Sequence, residues 1–354
     1  MQTDRFDTKV RRLGVETSRR GAFTCLPSFA LSLMGGLQFA EAARDPQGKC
    51  TKIRNKKRRR QCLKKAQAHD GQDASQLSPP IPSGSNITFP VRAAFYYPWV
   101  PNAWKQCEIF PFTNYMPSLG YYNSGDPNTI LQHIQAMQYG GIQVGITSWW
   151  GVADHTDQLI PAHLLAAAST GFRWALYYEQ EGTTNPSVEQ IRADLTSIRD
   201  RYAGDTSYAR VDGRFVGFVY NADDRDCAVA DRWHEANTVG AYIVLKVFRG
   251  YGTCLTQPDS WHQYAPAVAA DDQTGYSYSI SPGFWKRGEE ARLQRNLVRW
   301  EQNIRDMVGS GEPWQLVSTF NEWGEGTEVE SAVEWESASG FGAYLDALHR
   351  NGVP

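Results

Sequence analysis

The stretch Thr319-Phe320-Asn321-Glu322-Trp323-Gly324-Glu325-Gly326-Thr327 follows the apolar run Trp314 to Thr319 and sets two carboxylates three residues apart among aromatic, amide and glycine residues. The apolar run has the length and composition of a buried strand. A strand that ends in carboxylates, an amide and a tryptophan is where a parallel barrel keeps its chemistry, because in that fold the strand ends share one face. The competing reading, two solvated acids in a surface turn, fits the aromatic company poorly.

Working outward, short apolar runs alternate with longer amphipathic ones from Val91 onward, as parallel strands alternate with helical crossovers. Strands are expected at Val91 to Tyr97, Gln143 to Ser148, Arg173 to Tyr178, Phe215 to Tyr220, Ala241 to Val247, Gly275 to Ile280 and Gln315 to Thr319, with a weak eighth near Ala267 to Ala270. Helices are expected at Pro127 to Tyr139, Gln158 to Ser169, Ser187 to Tyr202, Asp226 to Glu235, Gly288 to Val308 and Gly340 to His349. This is the α/β pattern and size of one (β/α)8 TIM barrel, assigned to residues 88–354.

The expected strand ends repeat one theme: Tyr96-Tyr97-Pro98-Trp99, Ser148-Trp149-Trp150-Gly151, Tyr177-Tyr178-Glu179, Tyr220-Asn221 and Phe320-Asn321-Glu322-Trp323. In a parallel barrel these residues converge on one cleft. Twelve tryptophans and seventeen tyrosines exceed ordinary packing needs, and flat aromatic faces suit the C–H surfaces of sugar rings.

The net charge of −2 hides an asymmetry. Residues 1–87 carry 17 basic and 7 acidic side chains, whereas residues 88–354 carry 19 and 31. An acidic body argues against nucleic-acid binding. Arg19-Arg20 precede the uncharged apolar run Gly21 to Ala40, which ends in Ala40-Glu41-Ala42. Residues 1–42 therefore read as an export signal, of either the general secretory or the twin-arginine type, with a membrane-spanning first helix as the alternative. Residues 43–87 read as a basic, partly disordered arm and a Pro/Ser-rich linker. Within it, residues 49–65 hold ten basic side chains and no acid, suited to electrostatic contact with anionic envelope polymers or lipids. A secreted or envelope-associated monomer is expected. In an oxidising compartment Cys50 with Cys62, and Cys227 with Cys254, are candidate disulfides, leaving Cys107 unpaired. No C-x-x-C or HExxH motif occurs, the spacing of the acids matches no EF-hand, and no metal or cofactor is expected.

Glycosidic hydrolysis needs an acid for the leaving oxygen and a second carboxylate to act at the sugar, and Glu322, Glu325 and Glu179 are the candidates. Asn321 is placed to bond a sugar hydroxyl. Here the chain resembles the endo-α-mannosidase-like glycoside hydrolase family 99, from about Val91 to the C-terminus. The resemblance rests on Phe95-Tyr96-Tyr97-Pro98-Trp99, Ser148-Trp149-Trp150-Gly151, Tyr177-Tyr178-Glu179, Ser281-Pro282-Gly283-Phe284 and the Ser318 to Thr327 motif. It implies a retaining, endo-acting enzyme that forms a 1,2-anhydro sugar, with Glu322 as base for the 2-hydroxyl and Glu325 as acid and then base. It also implies that Glu179 lines a sugar subsite and that Tyr97, Trp99, Trp149 and Trp150 supply stacking faces. Tyr178, Asn221 and Trp323 complete the expected binding set, and Trp285 and Arg287 are expected on a loop over the cleft. Gly324 stands where the family commonly has His. The alternative reading is a glycan-binding or envelope-anchored protein on a barrel that has lost turnover.

Overall fold

β1 (Val91–Tyr96) shows how the barrel is specified: Val91, Ala93 and Phe95, followed by Tyr97, pack with the barrel interior, while Ala94 and Tyr96 pack with the helical layer outside. Side chains alternate along a strand, so a strand covered on both sides must be apolar on both phases. The computed structural model of the protein describes residues 86–222 and 225–353. The expected export signal and basic arm lie outside these residues, as do Cys50 and Cys62.

Eight parallel strands form the wall: β1, β2 (Val144–Trp149), β3 (Arg173–Tyr178), β5 (Arg214–Val219), β6 (Tyr242–Lys246), β7 (Ser260–His262), β9 (Ser277–Ile280) and β10 (Trp314–Val317). They run in the order β7-β6-β5-β3-β2-β1-β10-β9, so the first and last strands of the chain are neighbours. The short β4 (Arg210–Val211) pairs antiparallel with β5. At the seam between β7 and β9, side chains bridge the edges: Ser279 Oγ donates to the Gln263 carbonyl at 2.8 Å, and Ser281 Oγ to that of Pro266 at 2.6 Å. This is a (β/α)8 barrel, as expected.

Two assignments are corrected. The eighth parallel strand is β7, three residues long, and the region near Ala267 to Ala270 instead leads into β8 (Ala270–Gln273), an antiparallel partner of β9. The helix expected over Gly288 to Val308 begins only at Leu297. The residues before it fold back so that Phe284 pairs with Leu293, and Asn296 caps the new start by accepting from Arg299 N.

The helices are α1 (Pro127–Tyr139), α2 (His155–Ala167), α3 (Val188–Arg201), α4 (Cys227–Ala236), α5 (Leu297–Ser310) and α6 (Ala343–His349). Asp126, Asp154, Ser187 and Asp226 cap the first four by accepting from backbone N–H groups of the first turn. A disulfide joins Cys227 to Cys254. Cys107, expected to be unpaired, is also disulfide-bonded. Among the described residues no helix is long and apolar enough to cross a membrane.

Arg295, just before α5, anchors the loop that follows β10. Its guanidinium sits over the rings of Trp335, Tyr115 and Tyr344 at 4.1, 4.8 and 4.9 Å, and Nη2 donates to the carbonyls of Glu328 and Gly326 at 2.7 and 3.2 Å. Its Nη2 also lies 2.9 Å from Glu328 Oε1. Burial pushes the Glu328 carboxyl up to about 8, against the opposing pull of Arg295.

Two predictions follow from this packing. The Trp174 ring crosses β2 at Gly145, where a methyl group would lie 2.3 Å from Trp174 Cζ3. Gly145→Ala should therefore cost about 1–3 kcal/mol in urea unfolding, and an unchanged midpoint would remove this contact from the account. The second concerns pH. Unfolded, Glu328 releases its proton near 4.5; folded, it keeps it to about 8. Between these values the native state holds the extra proton, so stability falls as pH rises. The loss of Tm between about pH 5 and pH 8 should be smaller in Glu328→Gln than in the wild type.

Candidate active site

The loop after β10 is closed at its base and held from several directions. Thr319 N donates to the Thr327 carbonyl at 3.0 Å, the hydroxyls of Thr319 and Thr327 share a 2.9 Å hydrogen bond, and Glu322 N donates to Thr319 Oγ1 at 2.9 Å. Phe320 N continues the β1–β10 pairing by donating to the Phe95 carbonyl at 2.8 Å. The Asn321 amide then grips the backbone of Tyr97: Oδ1 accepts from Tyr97 N at 2.7 Å, and Nδ2 donates to Tyr97 O at 3.1 Å. On the opposite side, Trp285 N donates to the Glu325 carbonyl at 2.8 Å and Arg287 N to that of Gly324 at 3.0 Å. Gly326 has φ +63°, and a methyl group there would meet the Trp285 carbonyl oxygen at 2.7 Å, so glycine is required by both conformation and space.

Glu322 and Glu325 are each 5% exposed and line one cleft together with Tyr97, Trp99, Trp104, Phe112, Lys286, Asn321 and Trp323. The Tyr264 hydroxyl donates to Glu322 Oε2 at 2.5 Å. Trp323 is fixed from behind, its Nε1 donating to Tyr122 Oη and Glu330 Oε2, both at 3.1 Å. Glu330 in turn accepts from the Tyr122 hydroxyl at 2.7 Å, and its other oxygen lies 3.2 Å from His133 Nε2. The rings of Tyr97 and Trp99 lie 4.4 Å apart, and Trp99 Nε1 donates to Ser148 Oγ at 3.1 Å. Such a cleft pairs two carboxylates with aromatic walls, which suits proton transfer to a ligand rich in hydroxyls and C–H faces.

Six of the eleven residues expected at the site line this cleft: Tyr97, Trp99, Asn321, Glu322, Trp323 and Glu325. Trp149 and Tyr178 do not. Trp149 is fully buried in the helical layer with Nε1 donating to Asp157 Oδ1, and the Tyr178 hydroxyl donates to Asp194 Oδ2 at 2.8 Å. Both are out of phase with the interior residues of their strands, so their rings face the helices. Asn221 is buried, and its Nδ2 donates to the Lys246 carbonyl. Trp150 is half-buried, and its backbone is held by Thr156 Oγ1 and by the Gln180 amide. Glu179 is fully buried at the end of β3, in phase with the interior residues Ala175 and Tyr177.

Sequence reasoning missed Trp104, Phe112, Lys286 and Tyr264. Three of them come from loops without periodicity. Of the covering loop, Lys286 lines the cleft, whereas Trp285 Nε1 donates to the Glu289 carbonyl and Arg287 Nη1 to Asn114 Oδ1. Phe112 also explains how the chain accommodates Gly324, since a methyl group at 324 would lie 3.2 Å from Phe112 Cδ1.

Residues 94–256 match the model of "Glycosyl hydrolase family 99". A glycoprotein endo-alpha-1,2-mannosidase-like protein of Danio rerio is 25% identical over 282 residues, covering 66% of this chain and 62% of that protein. The glycoprotein endo-alpha-1,2-mannosidase of Xenopus laevis is 23% identical over 278 residues, covering 64% of this chain and 60% of that protein. The chain thus spans about three fifths of the length of these curated relatives. Among solved structures, the family 99 endo-alpha-mannosidase of Bacteroides thetaiotaomicron superposes with a TM-score of 0.59 at 21% identity, covering 74% of this chain and 94% of that one. A second, described as a glycoside hydrolase-like protein, gives 0.57 at 16% identity, covering 79% and 98%. The family model and the curated relatives agree that this chain is similar to glycosyl hydrolase family 99, and the solved structures share its barrel fold.

Proposed function

We propose that the protein is a glycoside hydrolase that cleaves α-mannosidic or related α-glycan linkages within a chain, with retention through a 1,2-anhydro sugar. The observation that carries this reading is the pairing of Glu322 with Glu325 in one aromatic-walled cleft, each carboxylate 5% exposed. The similarity to the glycoprotein endo-alpha-1,2-mannosidase of Xenopus laevis supports the substrate class.

In the proposed cycle Glu322 takes the proton of the sugar 2-hydroxyl. The resulting oxygen attacks the anomeric carbon of the same ring as Glu325 protonates the departing glycosidic oxygen. Water, deprotonated by Glu325, then opens the three-membered ring at the anomeric carbon, and the proton on Glu322 returns to the 2-oxygen. Two displacements at one carbon give net retention. The Tyr264 hydroxyl, bonded to Glu322 Oε2, fixes the carboxylate that receives the 2-hydroxyl proton. The hold of Asn321 on Tyr97 keeps the loop of acids against the ring that walls the cleft. Trp285 and Arg287, bonded to the carbonyls of Glu325 and Gly324, restrain the acid from the opposite side. Fixed groups of this kind need no rearrangement as charge develops.

The Cys227–Cys254 disulfide supports a secreted or envelope-associated protein, since such bonds persist in oxidising compartments. Contact of residues 49–65 with anionic envelope polymers or lipids remains part of the proposal. The Phe112 ring, 3.2 Å from where a Cβ at 324 would lie, favours one second reading, a glycan-binding protein whose cleft holds sugar without turnover.

The test is incubation of the full chain with α-mannans, α-glucans and arabinans, following released oligosaccharides by mass. Glu325→Gln should lower turnover of natural glycan at least about a hundredfold while leaving binding nearly intact. Glu322→Gln should fail even on a substrate with an activated leaving group, and full activity there would sink the anhydro-sugar route. Binding without release by the wild type would select the glycan-binding reading.

A further inference from the structure

The segment between β1 and α1 supplies Trp104, Gln106 and Phe112 to the cleft and then carries aromatic rings outside it. Trp104 is 2% exposed, Tyr121 is 39% and Phe110 is 61%. The three form a continuous row, with centroids 5.3 Å apart from Trp104 to Tyr121 and 5.5 Å apart from Tyr121 to Phe110. The row thus runs from the cleft wall out to solvent.

The backbone that carries these rings is hydrogen-bonded within the segment. Trp104 Nε1 donates to the Tyr122 carbonyl at 2.8 Å, and Phe112 N donates to the Trp104 carbonyl at 2.8 Å. Gln106 and Ile109 exchange backbone hydrogen bonds at 3.2 and 2.8 Å around a turn in which Cys107 and Glu108 have φ of 49° and 61°. Two side-chain-bearing residues in the left-handed region are uncommon, and the first of them, Cys107, is disulfide-bonded. Leaving a phenylalanine this exposed forgoes burial that the core would reward. Flat rings held at the rim of a polar cleft offer faces to the C–H surface of a sugar, while the Tyr121 hydroxyl and the neighbouring Gln106 amide offer hydrogen bonds to its hydroxyls.

We propose that Phe110 and Tyr121 form a further subsite outside the cleft, which takes a distal pyranose ring of the same glycan whose scissile linkage lies at Glu322 and Glu325. The inference rests on the glycosidase reading above and deepens it. Continuity of the row with the cleft through Trp104 identifies the occupant as the extension of the bound chain. A ligand long enough to reach the shelf gains stacking that a short one cannot, so the enzyme prefers longer glycans.

The test compares kcat/KM of the full chain on ladders of α-mannan and α-glucan oligosaccharides of increasing length. Binding of the same ladders to the Glu322→Gln/Glu325→Gln variant is measured in parallel. Phe110→Ala/Tyr121→Ala should reduce the long-over-short preference about three- to tenfold in both measurements, as loss of aromatic stacking implies. Phe110→Trp should retain it. Thermal unfolding of each variant separates this effect from damage to the fold. Hydrolysis by the wild type with a length preference that the double alanine variant leaves intact, or with no preference, overturns the subsite while the glycosidase reading stands. Neither hydrolysis nor binding of any ladder overturns both. Length-dependent binding without hydrolysis, lost in the alanine variant, supports the subsite and overturns the glycosidase.

Discussion

The closure of β10 on β1 is the constraint on which the site depends. Four parallel register pairs, Val91 with Trp314 through Ala94 with Val317, bring the end of the chain's last strand beside the end of its first. Phe320 continues the pairing to Phe95, and Asn321 turns a side-chain amide into one more rung by bonding the N–H and carbonyl of Tyr97. The acids that follow are therefore set at a fixed distance from the tyrosine that walls the cleft. Removing the amide would leave two buried backbone groups of Tyr97 in need of new partners, which is costly in a packed interior.

The loop carrying the acids is also restrained from outside the strand. Arg295 takes two of its carbonyls while sitting among three rings, and Trp285 with Arg287 takes two more. Below, Trp323 is tied to Tyr122 and Glu330, and Glu330 meets His133, whose other ring nitrogen shares a 3.0 Å hydrogen bond with Tyr96 on β1. The restraint thus returns to the strand from which it started. Carboxylates on such a loop have little freedom to lose when a ligand binds, which is what proton transfer at fixed geometry demands.

The same periodicity that made the barrel legible explains which site residues were misjudged. Parallel strands with two buried faces leave strong apolar runs, and the residues just after them mark the functional face. That mark ignores phase. Tyr97 continues Val91, Ala93 and Phe95 and enters the cleft, whereas Trp149 and Tyr178 fall on the other phase and enter the helical layer. Counting by twos from the core residues would have separated them. β7 escaped notice because Ser260, Trp261 and His262 are too few and too polar to make a run, yet the barrel interior accepts His262 against the Tyr177 hydroxyl at 3.2 Å. Trp104, Phe112 and Lys286 lie on loops whose placement depends on tertiary contacts such as the bond from Trp285 to Glu325, and no local pattern encodes those.

Gly324 illustrates why a departure within a motif is read only with its neighbours in space. A Cβ at 324 would lie 3.2 and 3.3 Å from Phe112 Cδ1 and Cε1 and 3.7 Å from Gln106 Nε2. A side chain there would require the Phe112 ring to give by a few tenths of an ångström, so the ring sits close over the glycine. Part of the cleft wall, Trp104, Gln106 and Phe112, comes from the segment between β1 and α1. That segment is tied to the body where the Tyr122 hydroxyl donates to Glu330 Oε2 at 2.7 Å and Ser118 N to the Ser331 carbonyl at 2.9 Å. The two glutamates stay on the closed strand end, where geometry is over-determined, while the shape of the space above them is set by a loop. A loop can change without disturbing the barrel, so acids and ligand preference are free to diverge separately. The glycine between the two glutamates is thus one half of a packing pair, and beside it Phe112 gives the cleft an apolar face.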